Sequence, residues 1–333
     1  MTIALAFLLL SADAETLSAR ALERAQAGDE SEAARLWQQA LAVNPKTFSA
    51  AFNLGYLNYR NKRFREAEPL LASASEVNPK DFNAAYLLGV VRSQLGQVDE
   101  AIVAWRHALA LQAGNRKLMR IMALEYRKGS YFREAAEMAE KSLDPADKAS
   151  WQLAIRSWHD ALDHMRALTL ATKFAALHPD SAFFEHGYAL YRNGRAGEAE
   201  PLLARAAQHP QASEEAQFFY GELLLSTNRA GAASAPLRRA VEVRPEYTAA
   251  RLALARALLA TGNADAAKHE LTQALERDPK HAQPHLMLAQ ILFREGDEAG
   301  AARHKKFAAE LRKQNPSSLE GAQSRPFGQP TRR

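Results

Sequence analysis

Apolar positions along this chain alternate between small and bulky side chains with one long period. Nine alanines mark its phase: Ala33, Ala67, Ala101, Ala135, Ala167, Ala199, Ala233, Ala267 and Ala301, spaced by 34, 34, 34, 32, 32, 34, 34 and 34 residues. Alanine is abundant, so one such coincidence carries nothing. Nine in register define an internal repeat, and a period near 34 predicts helical hairpins stacked into a solenoid. With this alanine at position 20 of each unit, the units begin at Ala14, Phe48, Phe82, Arg116, Lys148, Asp180, Glu214, Thr248 and Ala282.

Other positions agree with that register. Position 27 is alanine in seven units, with Ser142 and Phe174 in the other two. Position 8 is small in eight (Ala21, Gly55, Gly89, Ala123, Gly187, Gly221, Ala255, Ala289), and Ile155 is the exception. Small residues at 8, 20 and 27 let antiparallel helices approach closely. Bulky residues at 7 and 24, such as Leu54 with Leu71, Leu88 with Trp105 and Leu254 with Leu271, fill the gap. Glycines near position 15 (Gly28, Gly96, Gly129, Gly194, Gly262, Gly296) predict a tight turn inside each unit. Proline at position 32 (Pro45, Pro79, Pro179, Pro245, Pro279) stops the second helix, because it lacks an N–H and clashes with the preceding turn.

This combination resembles the tetratricopeptide repeat (TPR) family over residues 14 to about 315, most clearly in AFNLGYLNYRNKRFREAEPLLASASEVNP and AAYLLGVVRSQLGQVDEAIVAWRHALALQ. The resemblance implies an all-α, right-handed α-solenoid of about nine TPR-type helical hairpins. Units 4 and 5 depart from the pattern, each shortened to 32 residues, and Trp151 and Trp158 are expected to fill the core of an irregular junction. Lys305 stands where most units place a bulky core residue, which suits a terminal helix facing water. The expected organisation is an apolar N-terminal stretch over 1–14, the solenoid over 15–315, and a disordered Ser/Pro/Gly/Gln-rich tail over 316–333.

Composition adds exclusions. A net charge of +5 over 333 residues hints at acidic ligands but falls short of the clustered Lys and Arg of a nucleic-acid footprint. Cysteine is absent, which excludes disulfides, thiolate metal sites and a cysteine nucleophile. Ile3 to Leu10 is wholly apolar, too short to span a bilayer, and is followed by the small-x-small Ala12-Asp13-Ala14. Two readings stay open: the export signal of a periplasmic or secreted protein, which is preferred although a basic leader is missing, and an apolar extension of a cytoplasmic one.

In the family, first helices line the concave face, chiefly through positions 2, 5, 6, 9, 12 and 13. Carried onto this chain, unit 2 offers Phe52, Asn53, Tyr56, Tyr59 and Arg60, and unit 6 offers Phe184, Glu185, Tyr188, Tyr191 and Arg192. These two units share FxxGYxxYRN and EAEPLLA at a separation of 132 residues, as copies within a four-unit duplication would. Unit 3 adds Tyr86, and unit 7 adds Phe218 and Phe219. Aromatics at positions 5 and 12 also support packing in the family, so Phe52, Tyr59, Phe184 and Tyr191 stay open between packing and binding. Tyr56 and Tyr188, at position 9, are expected on the surface. Lys117, Arg120, Arg127 and Lys128 follow helical spacing on one face, and with Arg156 they predict an electropositive mid-groove for carboxylates or phosphates. The alternative is a solvated face neutralised by neighbours such as Asp160.

No phosphate-binding glycine loop, nucleophile elbow or HExxH helix occurs. His281 and His285 are separated by Pro284 and lack a third ligand, while His159 and His164, five apart, are expected on different sides of a helix. No enzyme, cofactor or metal site is therefore expected. The lysine and asparagine pattern of the family's carboxylate-clamp subclass is also missing. The functional expectation is a non-catalytic scaffold or adaptor that holds an acidic protein or peptide segment in an aromatic and basic groove. Nucleic acid is disfavoured and no transmembrane segment is expected. The alternative is a structural subunit of an envelope-associated secretion or export assembly, docked through its convex face.

Overall fold

The structure is a computed structural model that describes residues 2–314, with side chains described for 13–313. The tail beyond residue 314 therefore lies outside the described residues. Among those residues there are eighteen helices and no strands. The first helices of the nine hairpins are α1 (Thr2–Gln26), α3 (Phe48–Arg60), α5 (Phe82–Gln94), α7 (Arg116–Lys128), α9 (Lys148–Asp160), α11 (Phe183–Arg192), α13 (Glu214–Ser226), α15 (Thr248–Ala260) and α17 (Ala282–Arg294). Their partners are α2 (Glu30–Val43), α4 (Phe64–Val77), α6 (Val98–Leu111), α8 (Phe132–Lys141), α10 (His164–Leu177), α12 (Ala196–Gln208), α14 (Ala230–Val243), α16 (Ala264–Arg277) and α18 (Glu298–Gln314). All but α1 and α11 of the first helices start where the repeat phase begins. The helices fall into two compact units, which divide between Asp144 and Pro145. Hairpins 1–4 form the first unit and hairpins 5–9 the second.

Helix starts follow from capping chemistry. Asp81 accepts from the Ala84 N–H at 2.8 Å, Asn115 from Leu118 at 3.0 Å and Asp163 from Arg166 at 3.0 Å, each satisfying a donor that the first turn cannot. The turn inside each hairpin obeys a stricter rule than glycine content suggests. Position 15 has positive φ in all nine: Gly28, Lys62, Gly96, Ser130, Leu162, Gly194, Asn228, Gly262 and Gly296. Gly129 does not carry the turn, having φ −77, and Ser130 takes the left-handed conformation instead.

Close packing of six of the nine hairpins rests on a small residue at position 8 beneath a large one at 24. A Cβ built on Gly89 would stand 2.5 Å from the Trp105 ring, and one on Gly221 would stand 2.5 Å from Leu237 Cγ. Trp105 and Leu237 are fully enclosed, and the Trp105 indole N–H donates to the Tyr86 carbonyl at 3.0 Å. Hairpin 5 keeps the volume by exchange: Ile155 occupies position 8 and Ala171 position 24, both buried. Trp151 stacks on Phe174 at 6.1 Å and Trp158 is enclosed beneath Arg166, so both indoles do fill core. At the far end Lys305 is exposed, its ammonium over Phe293.

Two outcomes test this account. Leu162→Gly at the exposed left-handed turn relieves a conformation that costs an L-residue roughly 1–2 kcal/mol, partly offset by glycine's chain entropy, and should raise the urea midpoint. Gly221→Ala gains about 1 kcal/mol of helix propensity but overpacks against Leu237 by about 1–3 kcal/mol. A net loss is expected in the same melt, and an unchanged midpoint would mean that the helices are free to spread.

Candidate functional site

First helices of successive hairpins touch one another, α1 with α3, α3 with α5, α11 with α13 and α13 with α15, and no two second helices do so to the same extent. Within each unit the first helices therefore form the tighter, inner side. Side chains at position 9 run along that side, one per hairpin. In the first unit they are Leu22, Tyr56, Val90 and Leu124; Leu22 is 43 %, Tyr56 44 % and Leu124 48 % exposed, with Val90 half-buried between them. Among the described first helices, Phe293 on α17 is the other exposed large apolar side chain, and it has no such companions.

Around this row stand the candidates of the first unit. Phe52 is half-buried and stacks on Phe48 at 5.7 Å, and Tyr86 stacks likewise on Phe82 at 5.7 Å. Tyr59 is half-buried between Tyr56 and Phe64. These rings pack against neighbours and stay partly accessible, so packing and access are both served. Asn53 is half-buried, and Arg60 is exposed with Glu30 at 3.5 Å. On α7, Lys117 and Lys128 are exposed while Arg120 and Arg127 are half-buried. The Lys128 ammonium meets Glu125 at 2.7 Å, and Ser93 donates to the same carboxylate oxygen at 2.8 Å. The face is basic, with a buried acid at one edge that repeat phase alone does not single out.

The second unit is different. Tyr188 is not on the surface: it is 3 % exposed, with His159 at 4.7 Å and Phe219 at 4.4 Å between ring centroids. The reason is in the neighbours. Around Tyr56 the equivalent positions hold Ala25 and Leu87, whereas around Tyr188 they hold the larger His159 and Phe219. Phe184 stacks on Tyr188 at 5.9 Å, and Tyr191 is half-buried and hydrogen-bonded to Ser226. Arg192 donates to the Tyr188 hydroxyl at 2.7 Å and to His164 Nε2 at 2.8 Å.

Arg156 does not add open positive charge to the inner side. Its guanidinium meets Glu215 at 2.9 Å, two hairpins on, and Gln152 donates to the buried Glu185 at 2.7 Å. Glu215 is thus one neutralising neighbour of this guanidinium. Burial pushes Glu185, Glu215 and Tyr188 upward, Tyr188 to about 12. Position 9 in this unit is thus occupied by paired or covered groups over hairpins 5–8, because Glu222 also pairs with Arg256.

His159 and His164 meet across the turn, with Nδ1 atoms 3.1 Å apart, because the first lies near the end of α9 and the second begins α10. Arg192 donates to His164 Nε2, so the proton of His164 sits on Nδ1 and is given to His159 Nδ1. Both rings are therefore neutral. Burial, then His164 and Arg192, hold His159 down to about 3, and burial followed by Arg192 lowers His164. Among the described residues no three metal-ligating side chains come together, and no described helix is long and apolar enough to cross a membrane.

Two family profiles, both described as tetratricopeptide repeat, match residues 24–90, 231–291 and 258–317, and residues 152–214 and 184–250. Together they take in well over half of the sequence, and the chain belongs to the tetratricopeptide repeat family, whose helical arrays are protein-interaction scaffolds. No curated protein matches it. Among solved structures it is similar to a Naa15/Naa10 complex bound to HypK-THB, at 14 % identity over 93 % of this chain and 65 % of that one, with a TM-score of 0.51. It also matches a tetratricopeptide repeat protein from Parabacteroides merdae, at 13 % identity over 74 % and 99 % of the two chains, TM-score 0.41. A third match is MamA of Desulfovibrio magneticus, at 20 % identity over 52 % and 99 %, TM-score 0.46. The first of these likenesses shows the fold alone.

The neutral histidine pair has a measurable consequence. Between pH 6.5 and about 3 the unfolded chain binds a proton that folded His159 refuses, so stability falls progressively as pH drops from 6.5 toward about 3. The raised Glu185 and Glu215 act in the opposite sense in their own range. His159→Phe keeps a ring of similar size without the titration. It should shrink the loss of stability between pH about 7.5 and about 5.5 in urea melts followed by tryptophan fluorescence; an equal loss would remove His159 from the account.

Proposed function

We propose that the first unit is a non-catalytic docking surface for a peptide segment of another protein. The segment lies along the Leu22–Tyr56–Val90–Leu124 row and directs acidic groups toward Lys117, Arg120, Arg127 and Lys128. The single observation that carries this reading is the open apolar row, with basic side chains at one end and the half-buried rings of Phe52, Tyr59 and Tyr86 on the same helices. Apolar anchors supply affinity while the cations select for acidic neighbours and speed encounter. Asn53 and Arg60 are placed to pair with the backbone of such a segment. The second unit's Phe184, Tyr188, Tyr191, Arg192 and Arg156 are assigned to internal packing instead.

An exported setting fits the apolar Ile3–Leu10 stretch followed by small residues, and it is part of the same reading. A solved TPR protein, YrrB, is described as having an unusual peptide-binding site; the peptide reading made for this chain rests on its own side chains.

Tyr56 and Leu124 are exposed, so truncating both should leave folding within about 0.5 kcal/mol of wild type. Cross-linked co-purification from native cells should recover at least about tenfold less partner with Tyr56→Ala/Leu124→Ala. Equal recovery of the same partners by both proteins would exclude the row as the dock and direct attention to the second helices.

A further inference from the structure

The inner side of the second unit opens again at its last two hairpins. There α15 and α17 bound a cavity of about 330 Å³, lined in part by Arg256, Leu259, Gln283, Met287, Gln290 and Arg294. Its size lies at the low end for pockets that take small ligands or single side chains. Met287 and Ile291 form a buried apolar floor, with Leu259 beside them. Around that floor every other contributor of size is polar.

The rim groups differ in how they are committed. Arg256 is held by Glu222. Arg294 is exposed and, among the described residues, makes no ion pair or hydrogen bond. The side-chain amides of Gln283 and Gln290 are likewise unpaired; Gln283 takes part only through its backbone N–H, which His281 caps. The nearest acid in sequence, Glu295, is occupied by Lys268 at 2.8 Å. The cavity therefore presents one uncompensated guanidinium, two donor-and-acceptor amides and an apolar floor.

We propose that this cavity anchors an acidic side chain within an extended peptide, with its carboxylate on Arg294 and an adjacent aliphatic side chain on the Met287–Ile291 floor. A guanidinium pairs bidentately with a carboxylate, and one free cation calls for one acid. Gln283 and Gln290 each offer both an N–H donor and a C=O acceptor, the complement of a passing peptide backbone. Gln283 and Arg294 are separated along α17 by about 16 Å, the length of four or five extended residues, so a chain held at both ends of the helix continues beyond its acid. This site shares no residue with the row in the first unit, and either can fail without the other.

The chain has six methionines, so methyl-labelled methionine gives a sparse spectrum in which Met287→Leu assigns the reporter. The full-length protein is titrated with acetyl-Leu-Glu-Leu-amide. Met287 should shift saturably, binding should weaken about tenfold or more with acetyl-Leu-Gln-Leu-amide or in Arg294→Gln, and Tyr56→Ala should bind as wild type. Arg294 is exposed, so its variant folds, and the remaining methionine signals confirm it. A Met287 signal unmoved at millimolar peptide, or equal affinity for the Gln peptide or by Arg294→Gln, overturns the proposal. So does binding of acetyl-Leu-Leu with a free C-terminus in place of the internal acid.

Discussion

Everything in this molecule follows from how near two helices of a hairpin can come. A glycine or alanine at position 8 accepts a large side chain from position 24, and the resulting contact is tighter than any added methyl allows. Because six of the nine hairpins use this pair and hairpin 5 reverses it, first helices recur at a similar depth along each unit. Position 9 then recurs at one place per hairpin, and whatever occupies it becomes a row. The binding surface is a by-product of a packing rule.

The two units use that row in opposite ways. In hairpins 1–4 it is aliphatic and aromatic and remains open. In hairpins 5–8 it is occupied by Arg156, Tyr188, Glu222 and Arg256, and each finds a partner or a cover within the unit. Arg192 closes the arrangement by fixing the tautomers of two histidines and holding the tyrosine hydroxyl at once. Removing one of these partners would strand a buried donor or acceptor, which costs more than the bond returns. A ligand laid over hairpins 5–7 would have to compete with the Arg156–Glu215 and Arg192–Tyr188 contacts.

The period of small residues made hairpins, turns and helix ends legible before any coordinates. Even the exchange of Ile155 for Ala171 stands in the sequence, once positions 8 and 24 are considered as a pair. The site was legible only in part. Tyr56 and Tyr188 share a position and a motif, yet one is open and the other covered, since exposure is set by positions 12 and 6 of the adjoining units. Leu22 and Leu124 carry no chemistry by themselves and gain meaning only as companions of Tyr56. Arg156 and Glu215 are 59 residues apart, and no helical spacing rule connects them. The meeting of His159 with His164 was missed because a turn, not a helix, separates them.

The Arg156–Glu215 bridge reaches past hairpin 6. In a pure nearest-neighbour array, each hairpin melts at a rate set by the two beside it, and ends fray inward one step at a time. A tie between next-nearest members changes that statistics: hairpins 5, 6 and 7 gain a shared term and open together. Local fluctuation within the second unit, and with it hydrogen exchange, is thereby concentrated in hairpins 8 and 9, leaving hairpins 5–7 as a single cooperative block.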